Sequence, residues 1–149
     1  MITISVMITI CNMQCLKGIK MALKYSRQRE AIKEYVMTRM DHPTADDVYM
    51  NVRQEFPNIS LGTVYRNLTL LSDMGELLRL RIGDGVDRFD GATHPHYHFV
   101  CQECGAVEDL NIPIMNDIDK VAGKNFSGQI TGHSALFHGK CTNCLNNNS

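Results

Sequence analysis

The chain lacks tryptophan altogether, and aromatic residues make up only 7% of its 149 positions. Any core must therefore be mainly aliphatic. It also lacks a charge excess of either sign: the net charge is -1, so the totals carry no global nucleic-acid signal. No apolar run is long enough to cross a membrane. The opening stretch, MITISVMITICNMQCLKGIK, is apolar but has neither the basic start nor the small-residue cleavage site of a secretory signal. A cytoplasmic protein is expected. The length fits one or two small domains of ordinary globular composition.

The charge that is present is unevenly spread. Residues 21–82 hold nine Lys/Arg against eight Asp/Glu, whereas residues 83–149 hold four against eight. A slightly basic front thus precedes an acidic back, an arrangement that suits a front half facing nucleic acid. A more typical start, MALKYSRQREAI, follows at Met21, so residues 1–20 are read as a disordered extension or a mis-assigned start. Cys11 and Cys15 in that segment read as incidental thiols. The last residues, 146–149, read as a disordered tail.

From Tyr25 to about Met40, Ile32, Tyr35, Val36 and Met40 recur at helical spacing behind Ser26, an N-cap candidate. Pro43 stops that helix. Thr44 and Asp47 then form a capping-box pattern before the stripe Val48, Val52, Phe56. A third helix follows Ser60, with Val64, Leu68 and Leu71 on one face and Gly75 at its end. The short link FPNIS has helix–turn–helix length. On the third helix's other face stand Thr63, Tyr65, Arg66, Asn67 and Thr69, side chains of the kind that contact bases and phosphates. In LLRLRIGDGVDRFDG, leucines alternate with Arg79 and Arg81 around an Asp84-Gly85 turn signal. Three helices and a hairpin make a winged helix over 21–91, with its arginines near a phosphate backbone. A generic helical domain with a solvated polar face has the same pattern.

Residues 92–145 read as a small α+β unit. HYHFVC, AVEDL and GQITGHSALFHGKC are expected strands. PIMNDIDKVAGK is an expected helix with Ile114, Ile118 and Val121 inward. A unit of this size needs a metal or a partner subunit to be secure. Two CxxC pairs, Cys101/Cys104 and Cys141/Cys144, match a structural, tetrahedral Zn(II) site. Disulfides are the competing reading, and the absence of a secretion signal favours metal. Zinc there would contribute on the order of 10 kcal/mol or more to folding. Four protein ligands leave no open position for catalysis.

His96 and His98 share one face of a strand. Asp90 ends the wing shortly before, and Asp109 lies on the next strand. Such a set is harder than the thiolates and suits Fe(II), Mn(II) or Zn(II). From spacing alone these side chains can equally be ordinary strand histidines and a hairpin-capping aspartate.

Taken together, HPTADDVY, ISLGTVYRNLTLLSDMGEL, DRFDG, HYHFVCQECG and CTNC resemble, in order, the signature of the ferric uptake regulator family, from about Tyr25 to Cys144. The resemblance implies a dimeric, metal-dependent transcription repressor with a winged helix-turn-helix and a C-terminal dimerisation domain, binding a palindromic DNA operator. It is closest to the peroxide-responsive branch. That branch implies a regulatory Fe(II) or Mn(II) site at His42, Asp90, His96, His98 and Asp109, with His42 and His96 sensitive to oxidation. It also implies structural zinc at the four cysteines, and no enzyme activity. Iron-uptake regulators tend to carry Glu at the position of Asp109 and an acid at that of Tyr97, where the acid serves a further metal site. Control of iron or manganese uptake without peroxide chemistry is the alternative. Glu108 would replace Asp109 if the strand slipped by one residue. Pro95 replaces another potential ligand of the further site, and His133 is read as a leftover or structural histidine. His94 is read as exposed, and His138 has no assigned role. A metal hydrolase and a zinc-ribbon interaction module are readings from other classes.

Overall fold

A computed structural model describes residues 24–146. Cys11, Cys15 and residues 147–149 lie outside the described residues. Helix α1 spans Arg27–Met37, and the Ser26 hydroxyl accepts the N–H of Arg29 at its start. The helix is shorter than its apolar spacing predicts. Thr38 closes it, and Met40 is 78% exposed, so Ile32 and Val36 carry the buried stripe. Helix α2, Ala45–Val52, begins with both halves of the Thr44–Asp47 capping box in place. Helix α3, Leu61–Asp73, begins where the Ser60 hydroxyl accepts the N–H of Thr63. Gly75 follows at φ 70°, a conformation that L-residues with a Cβ adopt at a cost.

These helices enclose an aliphatic core of Ile32, Val36, Val48, Val52, Val64, Leu68 and Leu71, into which Phe89 also projects. Phe89 belongs to a hairpin, β1 (Leu78–Arg81) with β2 (Asp87–Asp90). The register sets Arg79 opposite Phe89 and Arg81 opposite Asp87, so these four share one face, towards the helices. The other face carries Leu78, Leu80, Arg88 and Asp90. Leu80 packs with Val100 and Val107 in a second, smaller apolar cluster. The hairpin is thus a partition with the helical core on one side and the back half on the other.

The back half is a three-stranded sheet in the order β4-β3-β5. Strand β3 (Tyr97–Cys101) runs antiparallel to β4 (Val107–Leu110) and parallel to β5 (Leu136–Gly139). Helix α4 spans Asp117–Gly123 and α5 spans Thr142–Asn146. Three expectations need correction here. The strand in GQITGHSALFHGKC is limited to four residues, beyond the glycines at 128 and 132 that weaken pairing. The helix expected from Pro113 begins only at Asp117, and Ile118 and Val121 are exposed rather than inward. Asn146, expected in the tail, lies in α5. No helix among the described residues is long and apolar enough to cross a membrane.

Two backbone contacts tie the front to the hairpin: Phe89 N–H donates to the Pro43 carbonyl at 3.0 Å, and Thr44 bridges Arg88. They hold the turn before α2, and so His42, beside the end of β2.

Candidate metal centres

Four thiols come together where the β3–β4 turn meets the start of α5. One ligand atom from each of Cys101, Cys104, Cys141 and Cys144 lies within 4.8 Å of the others. The Cys104 and Cys141 sulfurs are 3.7 Å apart, far beyond a disulfide bond. Tetrahedral zinc with bonds of about 2.3 Å would separate its sulfurs by roughly that distance. The Cys101 sulfur accepts the N–H of Cys141 at 3.3 Å. The N–H groups of Cys104 and Cys141 pull the Cys101 thiol down to about 6. The Cys144 thiol is pushed well up by its hydrogen bonds to Cys104 and Cys141, which keep its proton in place. Cys101 ionises readily while Cys104 and Cys144 resist. A cation is what would let them ionise together.

The second cluster draws on four parts of the chain. His42 comes from the turn before α2, Asp90 from the end of β2, His96 from the residue just before β3, His98 from β3 itself, and Asp109 from β4. One ligand atom from each lies within 4.8 Å of the others. In the sheet, His98 stands opposite Asp109 and Phe99 opposite Glu108. Asp109 therefore shares the histidine face and Glu108 does not, so there is no one-residue slip.

His42 has φ 52°, a left-handed conformation that is uncommon and costly for a residue with a Cβ. Two contacts hold it there. Its Nδ1 donates to the Val107 carbonyl at 3.2 Å, and its Nε2 faces the Asp109 carboxylate at 2.8 Å. His96 is arranged alike, with Nδ1 donating to the His94 carbonyl at 2.8 Å. Its Nε2 lies 3.1 Å from both Asp90 and Asp109. The Nε2 of His98 sits 3.5 Å from Asp90 and 3.4 Å from Asp109.

These bonds fix the chemistry of the cluster. A carbonyl on Nδ1 places the proton of a neutral imidazole there, leaving Nε2 as a bare lone pair. The lone pairs of His42 and His96 thus point at carboxylate oxygens, which are also acceptors. Such a convergence is repulsive unless a proton or a cation lies among the atoms. Asp90 Oδ2 and His98 Nε2 are buried without a hydrogen-bond partner among the described residues. Metal bonds of about 2.1 Å at right angles would place neighbouring donors about 3 Å apart, close to the shortest separations here. The residues present therefore fit a hard or borderline divalent cation.

Burial works most strongly against charge on His96. The His94 carbonyl and the carboxylates of Asp109 and Asp90 outweigh it, so its pKa is raised. Burial likewise opposes the Asp90 carboxylate, yet His98, the Ala92 N–H and the nearby imidazoles together bring its pKa below the ordinary value.

The residues expected at a DNA surface are not equally free. Arg66 and Tyr65 are exposed on α3, and Arg81 is 75% exposed on β1. Thr63 bonds Ser60 and Arg66, and Asn67 donates to the Thr63 carbonyl. Arg79 pairs with Asp87 and donates to the Tyr65 hydroxyl, so it is bound within the hairpin–helix junction. Sequence reasoning overlooked Asp87, although its place opposite Arg81 follows from the hairpin. It also missed the bonds of Tyr97. The Tyr97 hydroxyl accepts the N–H of Met115 at 2.9 Å and bonds His133, whose Nδ1 donates to Asp119 at 2.8 Å. His133 is thus tied into a structural chain. His94 and His138 are exposed.

Comparison with known proteins adds three relatives. The Ferric uptake regulator family matches residues 20–144. The peroxide-responsive repressor PerR of Staphylococcus aureus is 38% identical over 122 residues, covering 82% of each chain. The Vibrio cholerae ferric uptake regulator is 32% identical with a TM-score of 0.66, covering 87% of this chain and 99% of that one. The Helicobacter pylori ferric uptake regulator, described as having three functional metal binding sites, has a TM-score of 0.74 and covers 92% of both chains. At 22% identity it shows the shared fold alone.

Proposed function

The chain belongs to the ferric uptake regulator family, and from that premise we propose that it is a dimeric, metal-dependent DNA-binding repressor that senses hydrogen peroxide. The family is one of regulators, not enzymes. In this reading residues 21–91 are the DNA-binding winged helix and residues 92–145 the zinc-holding dimerisation domain, and the protein acts in the cytoplasm. The observation that carries it is the convergence of two carboxylate-facing imidazole lone pairs, from buried His42 and half-buried His96, on Asp90 and Asp109.

Cys101, Cys104, Cys141 and Cys144 would hold structural Zn(II). His42, Asp90, His96, His98 and Asp109 would hold the regulatory ion. Fe(II) held by these residues would supply electrons for activating hydrogen peroxide, and Mn(II) would supply charge without that reactivity. The residues do the rest. His42 belongs to the front of the chain, Asp90 to the hairpin, and the other three to the back sheet. Binding at all five favours the one arrangement of the halves in which they meet, and this links metal occupancy to the spacing of two recognition helices on a palindromic operator. Tyr65, Arg66 and Arg81, with Thr63 and Asn67 behind them, face the DNA. Oxygen added to the His42 or His96 ring spoils a donor. Asp90 and Asp109 are then left with less positive charge between them, and the halves part. The apolar side chains of Ile118, Val121, Phe126, Ile130, Leu136 and Phe137, all more than a third exposed, support a second copy as the partner of the back half.

The test is anaerobic loading with Fe(II), a brief peroxide pulse, then peptide mass spectrometry beside DNA binding. One added oxygen atom on the peptides holding His42 or His96, with loss of DNA binding, is expected. Unmodified histidines, with binding that follows free metal alone, would make the protein an iron or manganese uptake regulator.

A further inference from the structure

The junction between α3 and the hairpin holds a cluster that metal sensing does not use. Tyr65 lies on the exposed face of α3. Its hydroxyl donates to Asp87 Oδ2 at 2.7 Å and accepts from Arg79 at 2.6 Å. Arg79 also pairs with the same Asp87 oxygen, and its guanidinium lies 5.5 Å from the centre of the Tyr65 ring. Arg81 is 3.6 Å from the other Asp87 oxygen but remains 75% exposed. The Asp87 carboxylate is held below the ordinary range by Arg79 and Tyr65.

This arrangement has two physical consequences. A tyrosine on a free helix face samples several rotamers, whereas this ring is fixed by two hydrogen bonds and a stacked cation. A carboxylate on a DNA-facing surface repels phosphates, unless an arginine neutralises it. Here the carboxylate and Arg79 cancel, and the hairpin presents Arg81, only loosely paired with Asp87, as its exposed cation. A neutral pair adds no sequence-independent attraction, which is the term that dominates non-specific binding.

Building on the DNA-binding reading above, we infer that Asp87 is a positioning residue that sets DNA specificity: it fixes the pose of Tyr65 and withholds the charge of Arg79 from the phosphate backbone. Its effect is on the ratio of selected to unrelated sequence more than on affinity for the selected one.

The test uses the full chain loaded with zinc and Mn(II). A duplex is first selected from a random-sequence library by the wild-type protein. Binding to that duplex and to an unrelated one is then measured across salt concentrations. Asp87→Asn is expected to bind the unrelated duplex more tightly and to steepen its salt dependence by about one unit, since Arg79 is freed for one phosphate. The ratio of selected to unrelated affinity should fall about tenfold. Tyr65→Phe keeps the ring but loses both bonds, so the ratio should fall with the salt slope unchanged. Arg79→Gln combined with Asp87→Asn should return the slope to the wild-type value. Unchanged slope and ratio in folded Asp87→Asn would overturn the inference. So would a slope about one unit shallower in Arg79→Gln alone, because Arg79 would then already contact phosphate. Failure of the wild-type protein to select any duplex would instead remove the DNA-binding reading, and this inference with it.

Discussion

The two ligand clusters are close in sequence but opposite in construction. The thiol cluster is assembled by two CxxC turns of the back half alone. The histidine–aspartate cluster takes its members from the turn before α2, the end of β2, and two strands of the back sheet. A site built within one unit holds that unit together and reports on nothing else. A site built across units is sensitive to how they sit. The donors follow the same division: soft thiolates bind zinc tightly, while imidazole and carboxylate leave a divalent ion able to exchange.

The sharpest way to break the comparison is to remove a thiol. Cys141→Ser should leave a back half that does not fold, because structural zinc contributes about 10–16 kcal/mol in small domains, more than the stability of most of them. Zinc content and far-ultraviolet circular dichroism of the purified protein check this. A zinc-free variant with unchanged melting would place the two clusters in one class.

Asp90→Asn should do the reverse. Mn(II) affinity should fall by more than the roughly 10–100-fold that losing an outer partner costs. Zinc content should stay whole, and the metal-free protein should melt only slightly lower near neutral pH, because, against the cost of burial, the Ala92 N–H and the facing imidazoles favour the ionised Asp90 carboxylate in the folded chain. Calorimetric titration with Mn(II) and a thermal melt decide the matter together.

Tyr97→Phe is expected to cost about 1–2 kcal/mol, the lower part of the usual penalty for leaving groups unpaired, because its partners are only partly buried. It strands the Met115 N–H and His133. Urea unfolding of the zinc-loaded protein reads this, and Mn(II) affinity should be unchanged because Tyr97 faces away from the ligands on either side of it. Smallest is Thr44→Ala, which removes the α2 cap for about 1 kcal/mol. It is measured in the same unfolding series.

Much of this was legible in the sequence, and for physical reasons. The caps at Ser26, Thr44 and Ser60 are local, so residue types three apart suffice to announce them. The His96/His98 alternation and the CxxC pairs are equally local. The ends of elements were less legible. Met40 continues the α1 stripe on paper but lies beyond the Thr38 closure. Ile118 and Val121 keep an inward spacing although nothing among the described residues covers them. What no spacing could reveal are bonds between distant segments. The Val107 carbonyl that sets the His42 tautomer is 65 residues away, and the hairpin's Asp87 reaches back to Tyr65 on α3. Asp109 over Glu108 required the register of β3 against β4, which side-chain alternation constrains only once the pairing is known.

The central claim is that the histidine–aspartate cluster and the DNA surface are coupled. It is tested most directly by reciprocity. Mn(II) affinity of the zinc-loaded protein is measured with and without a duplex selected from a random library, and duplex affinity is measured with and without saturating Mn(II). The account predicts that DNA tightens Mn(II) binding by the same factor, per linked site, by which Mn(II) tightens DNA binding. Mn(II) affinity that is identical with and without DNA would contradict it.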